Sequence, residues 1–115
     1  MVVCPALSDA EVDRVFRALA DVTRRDIVAR VMTGEQSVSE LAARYDMSFA
    51  AVQKHVAVLE GAGLVTKRRQ GRERLVRGNP KRLAHARELL IRLEELWKAR
   101  FSQLDAVLAE PEPKE

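Results

Sequence analysis

Two neighbouring stretches of this 115-residue sequence carry side chains that could bind a polyanion. The first is residues 47–63, where Ser48 can cap a helix and Val52, Val56 and Leu59 fall at helical spacing on one face. Gln can bond adenine bidentately, Lys can bond guanine, and Ala can contact a thymine methyl group. Because plain surface helices also carry a Gln and a Lys, the neighbouring segments decide between the two interpretations. The opposite face carries an aromatic, an amide, a cation and two small residues: Phe49, Gln53, Lys54, Ala50 and Ala57.

The second stretch, residues 64–82, concentrates positive charge. It holds eight Lys and Arg residues and one acid, a net charge of +7, whereas the whole chain carries +3 and the remainder therefore −4. Such a concentration of one sign indicates a contact surface for a polyanion such as nucleic acid. A solvated charged hairpin is the alternative interpretation.

Length and composition limit the class of protein. The 115 residues support one domain, and 47% hydrophobic residues with only five Gly and four Pro favour helices over a many-turned β fold. No apolar run reaches the ~18 residues that span a bilayer, and no signal sequence is evident, so we expect a cytoplasmic protein without a membrane partner. The single cysteine, Cys4, is interpreted as incidental. An enzyme is disfavoured because no Gly-rich loop or Cys/His pairing supplies a reacting group.

Capping signals predict the first two helices. Ser8 and Glu11 fit a capping box at the start of the first helix. Asp21 can cap a second helix that runs through Met32 and stops at a left-handed Gly34. The first helix places four apolar residues at helical spacing: Val12, Val15, Phe16 and Leu19.

A helix-turn-helix follows. Ser37 and Glu40 repeat the capping box and open a third helix of about two turns that ends at Tyr45. Asp46 tolerates positive φ and can take the tight turn before the helix that Ser48 caps. Two short helices joined by three or four residues place the second in a DNA major groove.

The basic stretch then predicts a β-hairpin over residues 65–78. Val65 and Val76 lie in two β-compatible runs around Gln70 and Gly71, and Gly suits a short hairpin loop. A basic hairpin after a helix-turn-helix is a wing, whose cations can reach phosphates or the adjacent minor groove.

A long helix from Pro80 to about Leu108 closes the pattern. Its apolar face is wider than one small core can easily cover, so pairing with a second copy is the economical interpretation. Packing on its own domain is the alternative. The heptad positions are Leu83, Leu90, Trp97 and Leu104; Leu93 lies in the companion seam, and Phe101 widens the apolar face.

Three segments together resemble the ArsR/SmtB family of bacterial winged-helix repressors: residues 16–27, Ser39-Glu-Leu-Ala, and residues 48–65 ending Val-Leu-Glu-Gly-Ala-Gly-Leu-Val. The resemblance implies a mainly α fold with a small β-hairpin, a winged helix-turn-helix whose first and last helices form a homodimer interface. It also implies a repressor, which could be autoregulatory, that reads a palindromic operator with helix 48–62 and the basic wing 65–78. An effector of unknown identity would relieve repression.

The resemblance assigns the candidate site residues. DNA contacts would come from Ser48, Phe49, Ala50, Gln53, Lys54, His55, Arg68, Arg69, Arg72 and Arg74, although His55 could equally be a half-buried packing residue. The dimer interface would comprise Val12, Val15, Phe16, Leu19, Leu83, Leu90, Leu93, Trp97, Phe101 and Leu104.

No metal or other cofactor is expected. Metal-sensing members carry a Cys-x-Cys pair where this chain has Ser37 and Ser39, and hydroxyls are poor ligands for soft metals. His85 and Glu88 lie one turn apart on the last helix, where a lone His beside a Glu is usually solvated.

The predicted organisation is a flexible N-terminus over residues 1–7, one DNA-binding and dimerisation domain over 8–108 and a disordered tail over 109–115. The rival function is a winged-helix protein-interaction module without specific DNA binding. RNA binding is a weaker rival, since only Phe49 supplies an aromatic near the cations.

Overall fold

A computed structural model describes residues 7–109 of the chain. Cys4, most of the predicted flexible N-terminus and the tail after Ala109 lie outside these residues. The described part contains five helices and three strands in the order α1 Asp9–Leu19, α2 Val22–Thr33, β1 Gln36–Ser37, α3 Val38–Ala42, α4 Phe49–Gly61, β2 Val65–Gln70, β3 Glu73–Gly78 and α5 Pro80–Ala109.

Side-chain caps fix where the first four helices begin. In each, an oxygen of the N-cap side chain accepts a hydrogen bond from a backbone N–H three residues later, which satisfies one of the free donors of the first turn. Two of the four are complete capping boxes, with a Glu carboxylate bonded back to the cap N–H. This confirms the predicted helix starts. The pairs are Ser8 and Glu11 at 3.2 Å, Asp21 and Arg24 at 3.0 Å, Ser37 and Glu40 at 3.0 Å, and Ser48 and Ala51 at 3.1 Å.

Three local predictions are wrong. Gly34 is extended, with φ 179°, because the chain passes directly from α2 into β1. The third helix ends at Ala42 and not at Tyr45, which leaves residues 43–48 as a six-residue connection to α4. A connection of this length reverses the chain without a left-handed residue, so Asp46 does not adopt positive φ.

The predicted hairpin is present and gains a third strand. β2 and β3 pair antiparallel with Val65 opposite Gly78 and Gln70 opposite Glu73, so the loop is Gly71 and Arg72. Gly71 has φ 63°, as a tight two-residue hairpin loop requires. The two-residue strand β1 adds to the other side of β3 and gives the sheet order β1-β3-β2. We call β2, its loop and β3 the wing.

The core lies where α1 to α4 meet the base of the wing. Val15 is completely buried in this core, so it offers no surface to a second copy, contrary to its predicted place in a dimer interface. α5 contributes Ala86 to the core, and most of its remaining length is exposed. The described chain therefore measures 81 × 37 × 24 Å. The other members of the buried cluster include Ile27, Val31, Leu41, Val52, Val56, Leu59, Leu64, Val65 and Val76.

A polar cluster anchors the connection between α3 and α4 to α2. The Tyr45 hydroxyl donates to Asp26 Oδ2 at 2.5 Å, and Arg30 Nε donates to the same oxygen at 2.8 Å. These two hydrogen bonds, that of Tyr45 first, hold the pKa of the Asp26 carboxyl below its usual 3.8. Burial, with the hydrogen bond to Asp26, raises the pKa of Tyr45. The cluster therefore fixes the chain just before α4.

Tyr45→Phe should lower the free energy of unfolding at pH 7 by about 1 kcal/mol, because it removes one hydrogen bond to a carboxylate. Asp26 has a lowered pKa, so its contribution is present above pH 3.8 and is lost as the pH falls through its folded-state pKa. The difference between wild type and Tyr45→Phe should therefore shrink on acidification. Urea unfolding from pH 7 to pH 3, with Asp26→Asn and the double variant as controls, measures it; a pH-independent difference would contradict this role.

Candidate nucleic-acid interface

A concave surface lies between α4 and the wing. It encloses about 390 Å³ and we call it the α4–wing cleft. One wall is α4 and the opposite wall is formed by two cations of the wing, Lys67 and Arg74. The residues that line it are Val38, Ala50, Gln53, Lys54, Val56, Ala57, Lys67 and Arg74.

The core side of α4 determines which residues face the cleft. Val52, Val56 and Leu59 are completely buried, with at most 1% exposure. In a helix of 3.6 residues per turn, the residues about half a turn from this stripe must face outward. Gln53 and Lys54 are accordingly exposed, as are the predicted contact residues Ser48, Phe49 and Ala50, together with Ala57.

His55 lies apart from this face. Its half-buried ring brings Nδ1 within 3.3 Å of Arg24 Nη1. Arg24 also donates from Nε to the Ala18 carbonyl at 2.7 Å and from Nη2 to the Arg17 carbonyl at 3.1 Å. His55 was interpreted either as a DNA contact or as a half-buried packing residue, and its position agrees with packing. Its ring contacts Arg24, which in turn bonds the end of α1.

Arg68 is already bound to a carboxylate. Its Nε and Nη2 each donate to a Glu35 oxygen at 2.9 Å, which joins the wing to the loop after α2. The hydrogen bonds from Arg68 hold the pKa of Glu35 below its usual range, and the same pair raises the pKa of Arg68. The other predicted wing residues, Arg69, Arg72 and Arg74, are exposed.

Lys67 is a cleft residue that the sequence analysis missed. It lies two residues after the buried Val65 on the same strand, so both side chains are on the face that packs toward α4. Its Nζ lies 3.4 Å from Oε1 of Glu60, near the end of α4. The alternation of side chains along a strand was the available signal, and it separates Lys67 from the outward-facing Arg68.

Ser37 and His85 were considered as positions where a metal site could form, and the structure shows the surroundings of each. The buried Ser37 hydroxyl accepts the hydrogen bond that caps α3. His85 is half-buried, and its Nδ1 has no hydrogen-bond partner within residues 7–109. Within the same residues, no three His, Cys, Asp or Glu side chains are grouped to hold a metal ion.

A second surface, the apolar face of α5, is open along most of the helix. Trp97 is 60% exposed and stacks edge-on against Phe101 with ring centroids 4.8 Å apart. On α1, Val12, Phe16 and Leu19 are half-buried. Across the described chain, no helix has the length and hydropathy needed to span a bilayer. The exposed α5 residues among those predicted for dimerisation are Leu83, Leu90, Leu93, Trp97, Phe101 and Leu104.

The sequence matches known bacterial regulators. A family profile described as bacterial regulatory protein, arsR family, matches residues 21–67. The HTH-type transcriptional regulator Rv2034 of Mycobacterium tuberculosis is 44% identical over 92 residues, 80% of this chain and 86% of that protein. The arsenical resistance operon repressor of Escherichia coli is 30% identical over 96 residues, 83% of this chain and 80% of that protein.

Solved structures share the fold. An ArsR-like transcriptional regulator from Rhodococcus sp. RHA1 superposes with a TM-score of 0.74 at 34% identity, over 85% of this chain and 92% of that one. The homodimeric winged helix-turn-helix DNA-binding domain Mb0332 of Mycobacterium bovis superposes with a TM-score of 0.57 at 25% identity, over 97% and 100% of the two chains. The winged helix-turn-helix architecture predicted from the sequence is thereby confirmed.

The two kinds of wing arginine should differ in DNA binding. Arg72→Ala should weaken binding to specific and random DNA alike and flatten the salt dependence by about one unit, because a free cation at the hairpin tip can reach a phosphate. Arg68→Ala should change the salt slope less, because Glu35 already neutralises its guanidinium. Anisotropy titrations over a salt series measure both, with Glu35→Gln as the control that frees Arg68. Equal slopes for the two alanine variants would contradict this division.

Proposed function

Because this chain belongs to the ArsR family of bacterial regulatory proteins, we propose that it is a dimeric repressor that reads a palindromic operator with α4 and the wing. The observation that carries the proposal is the α4–wing cleft. It sets an outward face of α4 with one amide and one cation opposite the cations of a basic hairpin. Transcriptional regulation by a winged helix-turn-helix is the activity of the family, and the operator symmetry, repression and dimer are the proposed details.

The two walls of the cleft have different roles in the proposal. Arg69, Arg72 and Arg74 on the wing supply phosphate contacts, which give affinity that depends on salt and little on sequence. Gln53 and Lys54 supply direct discrimination, since a bidentate amide suits adenine and an ammonium suits guanine. Ser48, Phe49 and Ala50 sit at the start of the helix, where recognition helices meet base edges.

The proposed dimer rests on the apolar face of α5. Leu90 and Leu93 are each 52% exposed although they lie mid-helix, and a second copy is the partner that would remove such a face from water. The homodimeric state of the Mycobacterium bovis structure supports a dimer for this chain. A twofold axis would present both α4 helices to half-sites about one helical turn apart, which is why a palindromic operator is proposed. The interface would comprise Val12, Phe16, Leu19, Leu83, Leu90, Leu93, Trp97, Phe101 and Leu104.

Repression is proposed because the Escherichia coli relative is an operon repressor. Such a protein acts in the cytoplasm, where the bacterial chromosome lies. Autoregulation is the first case to test, since the DNA upstream of its own gene is the simplest candidate operator. The effector is left open, because Ser37 and Ser39 stand at the positions where metal sensors carry cysteines.

The deciding experiment is anisotropy binding of the purified protein to DNA from upstream of its own gene and to scrambled DNA, at several salt concentrations. A preference of about a thousandfold or more for the first supports an autoregulatory repressor. Equal, salt-dependent binding to both DNAs would mean either that the operator lies elsewhere or that the wing gives only nonspecific affinity. Absence of binding to both would instead favour a protein-interaction module.

On the operator so identified, Gln53→Ala should lower discrimination by about 1–3 kcal/mol at one base pair per half-site, because the amide no longer pairs with adenine. Binding to random DNA should change little. Single-base-pair variants of the operator, each titrated with wild type and Gln53→Ala, locate that position. An equal loss on operator and random DNA would remove Gln53 from the reading residues.

Leu90→Asp should convert the dimer into monomers, because it introduces a charge into the proposed apolar interface. Trp97→Ala should weaken the dimer by removing a large exposed aromatic side chain. Arg92→Asp is the matched control, since it adds the same carboxylate on the opposite side of α5. Sizing with light scattering gives the mass and circular dichroism confirms folding. A monomeric wild type, or dimeric Leu90→Asp, would contradict the interface.

A further inference from the structure

The outward face of α4 is more apolar than contact with phosphates alone requires. Phe49, the first residue of the helix, is 47% exposed, and Ala50 and Ala57 are exposed beside it. The only acid on α4 is Glu60, which lies within 3.4 Å of Lys67. A face that approached only phosphates would carry cations at these positions. Apolar side chains at these positions therefore favour contact with an apolar group of the DNA.

Phe49 has no structural role that explains its exposure. Its neighbour Met47 packs against the core cluster, as does Tyr45, whereas Phe49, the residue after the cap Ser48, is not among the residues of that cluster and is 47% exposed. An exposed aromatic ring forgoes the stabilisation of burial, which for Phe is about 1.5–3 kcal/mol. The ring is thus available for a partner that approaches the start of α4.

In the major groove, only thymine presents a methyl group, and apolar side chains such as Phe and Ala contact it. Phe49 and Gln53 are four residues apart on α4, one turn and about 6 Å along the axis. That rise is close to two base-pair steps of about 3.4 Å. A thymine methyl under Phe49 and an adenine under Gln53 would thus lie within the same few base pairs.

We propose that Phe49 is a specificity-determining residue that selects a thymine methyl group in each half-site, close to the adenine read by Gln53. The inference rests on the proposed function, because it names what the α4 face reads. It assigns to this chain an operator in which at least one thymine per half-site is read by carbon contact and not by hydrogen bonds.

The test begins with selection of binding sites from a random duplex library by the full-length protein. Each thymine of the enriched half-site is then replaced singly by deoxyuridine, which removes the methyl group and keeps the base pair. At one position per half-site, deoxyuridine should weaken binding about fourfold, the effect of withdrawing one buried methyl group. The remaining thymines should tolerate the replacement, apart from any that Ala50 or Ala57 contacts.

Variants assign the methyl contact to its residue. Phe49→Ala should bind the thymine operator more weakly and should no longer distinguish deoxyuridine at that position, whereas Phe49→Leu should keep part of the distinction. Gln53→Ala is the matched control, because it should lose discrimination at its own base pair and keep the deoxyuridine effect. Circular dichroism confirms that each exposed-face variant is folded.

The outcomes separate the inference from the function beneath it. If the library yields no enriched sequence, the proposed function fails and the inference fails with it. If a sequence is enriched but its half-sites lack thymine, or deoxyuridine has no effect, the proposed function stands and the inference is overturned. A deoxyuridine effect that persists in Phe49→Ala would likewise overturn the assignment to Phe49.

Discussion

Burial of one side of α4 is the constraint on which the rest of the molecule depends. Val52, Val56 and Leu59 are held in the core, and the fixed period of the helix then leaves no choice over which side chains face outward. Gln53 and Lys54 are positioned by apolar packing in which they take no part. Rotating the helix by one residue, about 100°, would bring a polar side chain into the core, at a cost of a few kcal/mol. Core packing thus determines which side chains form the proposed reading surface.

In the proposed function, affinity and discrimination come from different chemistry on the two walls of the cleft. The wing concentrates cations, whose attraction to phosphates is long-ranged and screened by salt, whereas the outward face of α4 is nearly neutral and acts only at contact. Within the wing, successive side chains of β2 face opposite sides of the sheet, so neighbouring cations have different surroundings. Lys67 thereby faces α4, and Arg68 turns to Glu35. A one-residue slip of the hairpin would exchange these environments.

Features that depend on nearby residues were predictable from the sequence, and those set by distant partners were not. Capping boxes and helical spacing located four helix starts and the buried stripe of α4, and Gly71 located the hairpin loop. The strand β1 is two residues long, too short for any periodicity, and it exists only because β3 lies beside it. Arg68 was expected to contact phosphates. Its carboxylate partner, Glu35, is 33 residues away, so nothing in the sequence indicated that the two would pair. Val15 and Phe16 both fit the apolar spacing of α1, so the sequence does not distinguish them. Tertiary packing buries Val15 in the core and leaves Phe16 half-buried.

The proposed dimer surface and the reading surface are joined through α1. Arg24 bonds the carbonyls at the end of α1 and reaches the ring of His55 on α4, while Arg82 of α5 reaches Glu11 at the start of α1 at 3.3 Å. α1 therefore has polar attachments to both helices in addition to its buried contacts. Two copies that pair through α1 and α5 would hold their α4 helices at a defined separation. That separation is what a fixed operator spacing demands. In the proposed dimer, these polar contacts outside the core would link the interface helices to the proposed DNA-reading residues of α4.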